Sequence, residues 1–258
     1  MPASAIPHHE TITPAVVVRT RAFGESDKIV TFLTRDLGKI AGIAKGAQRS
    51  KRRFVNVLEP FTHVDVTLRL RPGSDLAFVS ACVLRDAPIT IARDLFKFAY
   101  ASYVLELTDR MVREREAGPD TYELVRDAIA LLENGEAEAG ILRAFELHLL
   151  RLTGYEPELG HCRRCGVGSA GGTPMYVHPA RGGVLCIRCR GEGRAYLASQ
   201  PVLERLIAFQ QVPFDGRDGE RYRLAPSMAA EARALVRCFF AADLTAPLAS
   251  EKLLESLG

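Results

Sequence analysis

Two cysteine pairs of identical spacing constrain this chain more than any other feature. Cys162-Arg-Arg-Cys165 and Cys186-Ile-Arg-Cys189 are both C-x2-C, with 20 residues between them. Two intervening residues let both sulfurs of one turn face the same ion, and a loop of this length folds the second turn opposite the first. Four thiolates complete a tetrahedral shell around Zn2+ and leave no position for water, so the pattern points to one structural zinc ion. Residues 161–193 are rich in Gly, Cys and Arg and poor in large apolar side chains. Such a segment cannot build a hydrophobic core, and the metal must supply its folding energy. Gly166 and Gly191 permit the tight turns that follow each pair.

Other uses of these cysteines fit less well. A redox pair needs one C-x2-C at the start of a helix after a strand, and disulfides suit secreted chains. His161 and His178 are nearby substitute ligands, but four cysteines already complete the set. Cys82 and Cys238 read as core thiols. Arg163, Arg164, Arg188 and Arg190 flank the sulfurs. They could offset the charge of about −2 on a four-thiolate zinc centre, or reach nucleic-acid phosphates, and both readings stay open.

Ahead of this segment the texture changes twice. Residues 1–14 hold three prolines and no periodicity and read as a loose tail. Short strand-like runs follow: from Ala15, Lys28 to Leu33, Lys39 to Lys45, His63 to Arg71 and Leu76 to Leu84. In the fourth, Val64, Val66, Leu68 and Leu70 alternate with polar residues, the signature of a strand with one buried face. Pro72-Gly73-Ser74-Asp75 supplies the turn into the fifth. Five short strands without a clear helix predict an OB-fold barrel over 15–87.

After Pro88 the apolar period becomes helical. Tyr100/Val104/Leu107/Met111, Tyr122/Val125/Ile129/Leu132 and Ile141/Phe145/Leu149/Leu152 form three stripes, which read as core. Asp120 is the expected N-cap of the second helix and Asn134-Gly135 its end. Helical texture returns at Val202 to Gln210, Met228 to Ala241 and Lys252 to Leu257. The expected class is therefore α+β and multi-domain. An OB-fold barrel is followed by an α-helical domain over 88–258, with a zinc module at 160–195 inserted.

Charge supports separate modules. Residues 1–80 hold 12 Lys/Arg against 7 Asp/Glu, residues 81–158 hold 9 against 15, and residues 159–258 hold 13 against 9. Seven cations and one acid lie between Arg35 and Arg53, and the densest part is Lys45-Gly-Ala-Gln-Arg49-Ser-Lys51-Arg52-Arg53. Cations separated by small residues can track a phosphate backbone with little sequence preference. The bland alternative is a solvated loop. Phe54, directly after the run, is the expected stacking residue.

No phosphate-binding loop, H-E-x-x-H or G-x-S-x-G motif is present. The expectation is a non-enzymatic protein without a small-molecule substrate. No apolar run reaches the ~18 residues a membrane-spanning helix needs, and no secretory signal is visible, so the expected location is the cytoplasm, at the nucleoid. An OB-fold and zinc-module fragment of a DNA-processing enzyme is one alternative. A ligase, however, would need K-x-D-G, and no lysine here begins that pattern. A protein adaptor that touches no nucleic acid is another.

Particular residues resemble a known family. Gly24-Glu25-Ser26-Asp27, Gly38-Lys39-Ile40, Ala44-Lys45-Gly46-Ala47-Gln48-Arg49-Ser50-Lys51 and Leu58-Glu59-Pro60-Phe61 look like the N-terminal domain of the bacterial recombination mediator RecO family. Pro179-Ala180-Arg181-Gly182-Gly183 and the run through Cys189 resemble its zinc segment. The resemblance implies binding of single- and double-stranded DNA and strand annealing. It also implies partnership with RecR, and help in loading RecA onto DNA coated by single-strand binding protein (SSB), whose C-terminal tail docks on the helical domain. The family's basic surface carries over to Lys39, Lys45, Arg49, Lys51, Arg52 and Arg53.

Overall fold

The computed structural model describes residues 10–70, 73–116, 118–169, 172–240, 244 and 246–257. Two compact units divide the chain: one holds residues up to 92 together with 112–126, the other 93–111 and 127–258.

The first unit is built on a closed barrel of β1 (Glu10–Phe23), β2 (Asp27–Thr34), β3 (Gly38–Ala44), β4 (His63–Arg69) and β5 (Leu76–Asp86), in the order β1-β2-β3-β5-β4. The long β1 pairs antiparallel with both β2 and β4, and a register shift between Val17 and Arg19 bends it from one partner to the other. A parallel pairing of β3 with β5, Gly42 facing Ala77, closes the barrel. Glycine is needed there, because a Cβ on Gly42 would lie 2.7 Å from Val79 Cγ2. Alternation in β4 places Val64, Val66 and Leu68 inside with Val17, Val30, Phe32 and Val79.

The predicted tail is too long. Residues 10–14 belong to β1, where Glu10 faces Arg69 in the ladder and the two side chains pair at 2.7 Å. The Thr13 hydroxyl donates to Asp36 at 2.7 Å. Cross-strand partners order this stretch despite its lack of internal pattern. Residues 1–9, Arg71 and Pro72 lie outside the described residues. Residues 112–126 return to the barrel unit: the Arg115 N–H donates to the Lys39 carbonyl at 3.0 Å, and its guanidinium donates to the Ser74 carbonyl at 3.2 Å.

The helices are α1 (Leu95–Met111), α2 (Pro119–Asn134), α3 (Ala139–Leu152), α4 (Gln200–Gln211), α5 (Pro226–Arg237) and α6 (Ala249–Leu257). Asp120 is not the N-cap of α2. Pro119 already opens the helix, the Thr121 and Tyr122 amides donate to the Gly118 carbonyl, and Asp120 sits in the first turn. An acid in the first turn suits the helix dipole, and proline suits the first helical position.

In the second unit α3 is the central element, packed against α1, α4 and α5. A Cβ on Gly140 would fall 1.7 Å from the Tyr222 carbonyl oxygen, so only glycine lets the start of α3 approach that turn. Burial on α3 goes well beyond the expected apolar stripe: Arg143, Glu146 and His148 are buried too. Glu146 accepts from the Tyr103 hydroxyl at 2.5 Å and from Arg143 at 2.6 Å. Burial pushes the Glu146 carboxyl above the usual range, while Arg143 and the Tyr103 hydrogen bond oppose that rise.

Candidate metal centre and nucleic-acid interface

Between α3 and α4 lies a small sheet of β6 (Met175–His178), β7 (Gly183–Cys186) and β8 (Tyr196–Ala198), in the order β7-β6-β8. Gly183 is held so close to Glu158 that a Cβ there would meet its carbonyl oxygen at 2.3 Å. Each cysteine pair forms a turn. The Gly166 N–H donates to the Cys162 carbonyl and the Cys189 N–H to the Cys186 carbonyl, both at 2.9 Å. Gly166 and Gly191 follow with φ of 73° and 62°, left-handed values that favour glycine.

These turns bring Cys162, Cys165, Cys186 and Cys189 together, with all four Sγ atoms within 4.8 Å of one another. The Cys165 and Cys186 sulfurs are 3.7 Å apart. Sulfurs ~2.3 Å from a tetrahedral zinc ion stand about 3.8 Å from each other, so the donor set fits a closed four-thiolate site. Burial opposes ionisation of Cys162, yet hydrogen bonds from surrounding backbone amides and the Cys165 thiol bring it down to about 6. Cys189 is pushed up to about 12, first by the Cys165 hydrogen bond and then by burial. Crowded thiols ionise unequally because each new charge opposes the next. A divalent cation removes that conflict. His161 stands 3.8 Å from Glu158 and His178 is buried on β6, and neither joins the thiol cluster. The four cysteines can therefore hold a metal ion.

The basic run lies in the barrel unit, directly after β3. Gly46 takes φ 68° and opens a 3-10 turn at Ala47–Arg49. Asp27, the first residue of β2, anchors it: its carboxylate accepts from the Gly46 N–H at 2.8 Å, and its carbonyl accepts from the Gln48 side-chain amide at 2.8 Å. That backbone hydrogen bond is the main reason its carboxyl falls below the usual range. The Ser50 hydroxyl then accepts from the amides of Arg53 and Phe54 at 3.1 and 3.0 Å. Removing the anchor without touching a cation tests this design. Asp27→Ala is expected to loosen residues 45–53, seen as faster amide exchange there than in the wild-type protein.

Lys45, Arg49, Lys51, Arg52 and Arg53 are exposed. Two expectations change. Lys39 is only 7% exposed within β3, so its ammonium does not belong to the open surface. Phe54 is 5% exposed and packs in the barrel core, so it offers no stacking face. Arg53 lies over the Phe54 ring at 4.6 Å and donates to the Lys45 carbonyl at 2.6 Å, which makes it the staple of the loop. Sequence periodicity carries no signal for either burial: Lys39 lies where residues 114 and 115 bond alongside β3, and Phe54 is buried by the way the loop folds back onto the barrel. Phe23, 46% exposed at the end of β1, is an aromatic that does reach solvent.

A closed barrel of OB topology with a cationic loop, joined to a helical unit that contains four clustered cysteines able to hold a metal ion, defines a multi-domain protein of the OB-fold and four-cysteine-module class. Residues 9–88 match the family model described as Recombination protein O N terminal, and residues 92–252 match Recombination protein O C terminal. A DNA repair protein RecO of Anaeromyxobacter sp. (strain Fw109-5) is 37% identical over 248 residues, covering 94% of each chain. One from Geobacter metallireducens is 35% identical over 249 residues, covering 96% of this chain and 98% of its own. The chain belongs to the RecO family. Among the described residues no helix is long and apolar enough to cross a membrane.

Proposed function

We propose that this protein is a non-enzymatic recombination mediator that binds single- and double-stranded DNA through the loop after β3. In this reading it anneals complementary strands and, with RecR, helps RecA load onto SSB-coated single strands, while the helical unit receives the SSB C-terminal tail. Lys45, Arg49, Lys51 and Arg52 are the phosphate contacts, and Arg53 shapes the loop. Lys39 is left out because it is buried. Cys162, Cys165, Cys186 and Cys189 hold one zinc ion, which supplies folding energy to a module with only a small core of its own.

The observation that carries the DNA reading is the loop itself. Five exposed cations occupy nine residues, and among the described residues none of them forms an ion pair. Lys45 acts on the Asp27 carboxylate only through space, and exposed cations outside ion pairs remain available for phosphates. Replacing Lys45, Arg49, Lys51 and Arg52 with alanine should weaken binding of unrelated oligonucleotides by similar factors, because phosphate contacts carry no sequence information. Measured against salt, the slope of log K should flatten by roughly 0.7 per contact on single strands, about 3 for all four. Folding stability should move by no more than about 0.5 kcal/mol. An unchanged slope with wild-type affinity would show this loop to be only a solvated face and place the DNA contacts elsewhere on the chain, whereas wild-type protein that binds no oligonucleotide would favour the adaptor reading.

A further inference from the structure

We infer that the cysteine module carries a second phosphodiester-binding surface, an arginine-lined cavity beside the four thiols that takes the backbone of single-stranded nucleic acid. This deepens the DNA-binding reading above and rests on it. Arg163 and Arg164 come from the first cysteine turn and Arg190 from just after the second. Arg181 comes from the 3-10 turn Pro179–Arg181 between β6 and β7. Together they line an open, mostly polar cavity of about 490 Å³, in which Glu192 is the single acid.

All four arginines are exposed, and among the described residues none of their guanidinium groups pairs with a carboxylate. Arg190 lies over the Tyr176 ring, 4.7 Å from its centroid, which fixes its position at the cavity without using its hydrogen-bond donors. Charge compensation of the thiolates does not account for the whole set. A four-thiolate zinc centre carries about −2, whereas residues 160–195 hold six arginines against one glutamate. A positive surplus remains. Arg181 also adjoins no cysteine in the chain, and it is the fold that brings it to the same cavity.

The residue type points to the ligand. Every cation of the module is arginine, whose planar fork engages phosphate oxygens in pairs and holds direction better than lysine. Polar walls do not suit a small apolar ligand, which needs hydrophobic lining. Four forks drawn from three chain segments exceed what the oxygens of one phosphate can satisfy, so successive phosphates of a strand fit the cavity better than a free ion.

The full-length protein, irradiated with single-stranded oligonucleotides that carry 4-thiothymidine, tests this directly. Cross-linked peptides are expected from residues 160–195 as well as from the loop at 45–53. Combined replacement of Arg163, Arg164, Arg181 and Arg190 by glutamine should remove the first group and keep the second. Zinc content should stay unchanged, and the salt slope should flatten by about 3 if all four contacts are real. Wild-type cross-links confined to the barrel would overturn the inference and leave the barrel reading intact. Cross-links confined to 160–195 would do the reverse. A wild-type module that gives no cross-links but binds inorganic phosphate, with that binding lost in the glutamine variant, would assign the cavity to the free ion and overturn the polymer assignment. Should the glutamine variant lose metal, the wild-type map and the corresponding four-lysine variant decide the question.

Discussion

Freshly purified protein is expected to contain about one zinc ion per chain, and Cys162→Ser should open residues 161–193 to protease. The reason is the shortage of other folding energy in the module. Its buried apolar residues are few, chiefly Met175, Val177, Val184 and Leu185 on two four-residue strands. Structural zinc contributes on the order of 10 kcal/mol or more in small thiolate domains, far above what so small a core supplies. Thiol reactivity provides an independent readout. Cys165 is exposed, so in the metal-loaded protein only coordination protects it, and Cys162→Ser should make it react rapidly. The barrel has its own core and should keep its fold. Metal-free protein with four freely reactive thiols and an ordered module would overturn the assignment.

Glu146→Ala should destabilise the helical unit by roughly 3–5 kcal/mol, the cost of leaving a buried charge without its partner. Arg143 and Glu146 are both buried on α3 and paired at 2.6 Å, so removing the acid leaves a buried guanidinium without its carboxylate. Tyr103 loses its acceptor at the same time. Tyr103→Phe removes one hydrogen bond and should cost only about 1–2 kcal/mol. The double variant Arg143→Met/Glu146→Leu should recover most of the loss, because well-packed apolar residues often replace a buried ion pair without penalty. Hydrogen exchange at the α3 amides would report these changes for that unit alone. Equal destabilisation in the single and double variants would show that packing volume, not stranded charge, dominates.

Much of the architecture was legible in the chain because its causes are local. Alternation in His63–Arg69 places one face inside at a period of two residues whatever the partner strand is. The C-x2-C spacing sets the geometry of each sulfur pair within a single turn, and Gly166 and Gly191 mark where those turns need left-handed backbone. Helical stripes at 100–111, 122–132 and 141–152 identified three helices for the same reason.

Features that depend on partners distant in sequence were decided only by the tertiary structure. Residues 10–14 have no strand pattern of their own and become strand because β4 offers them a ladder. Lys39 and Phe54 read as surface chemistry in sequence, yet both are buried, Lys39 where residues 114 and 115 bond alongside β3 and Phe54 in the barrel core. The stripe on α3 predicted one covered face. Neighbours on its other sides bury Arg143, Glu146 and His148 as well; the Arg143–Glu146 pair and, for His148, the carbonyls of Phe209 and Val212 make that burial tolerable. Arg181 reaches the arginine cavity because a 3-10 turn and two short strands carry it there. Periodicity and spacing report what a residue's own turn or strand requires. Which side chains end up buried, paired or gathered into one site depends on segments far away in sequence, and only the packed chain sets that.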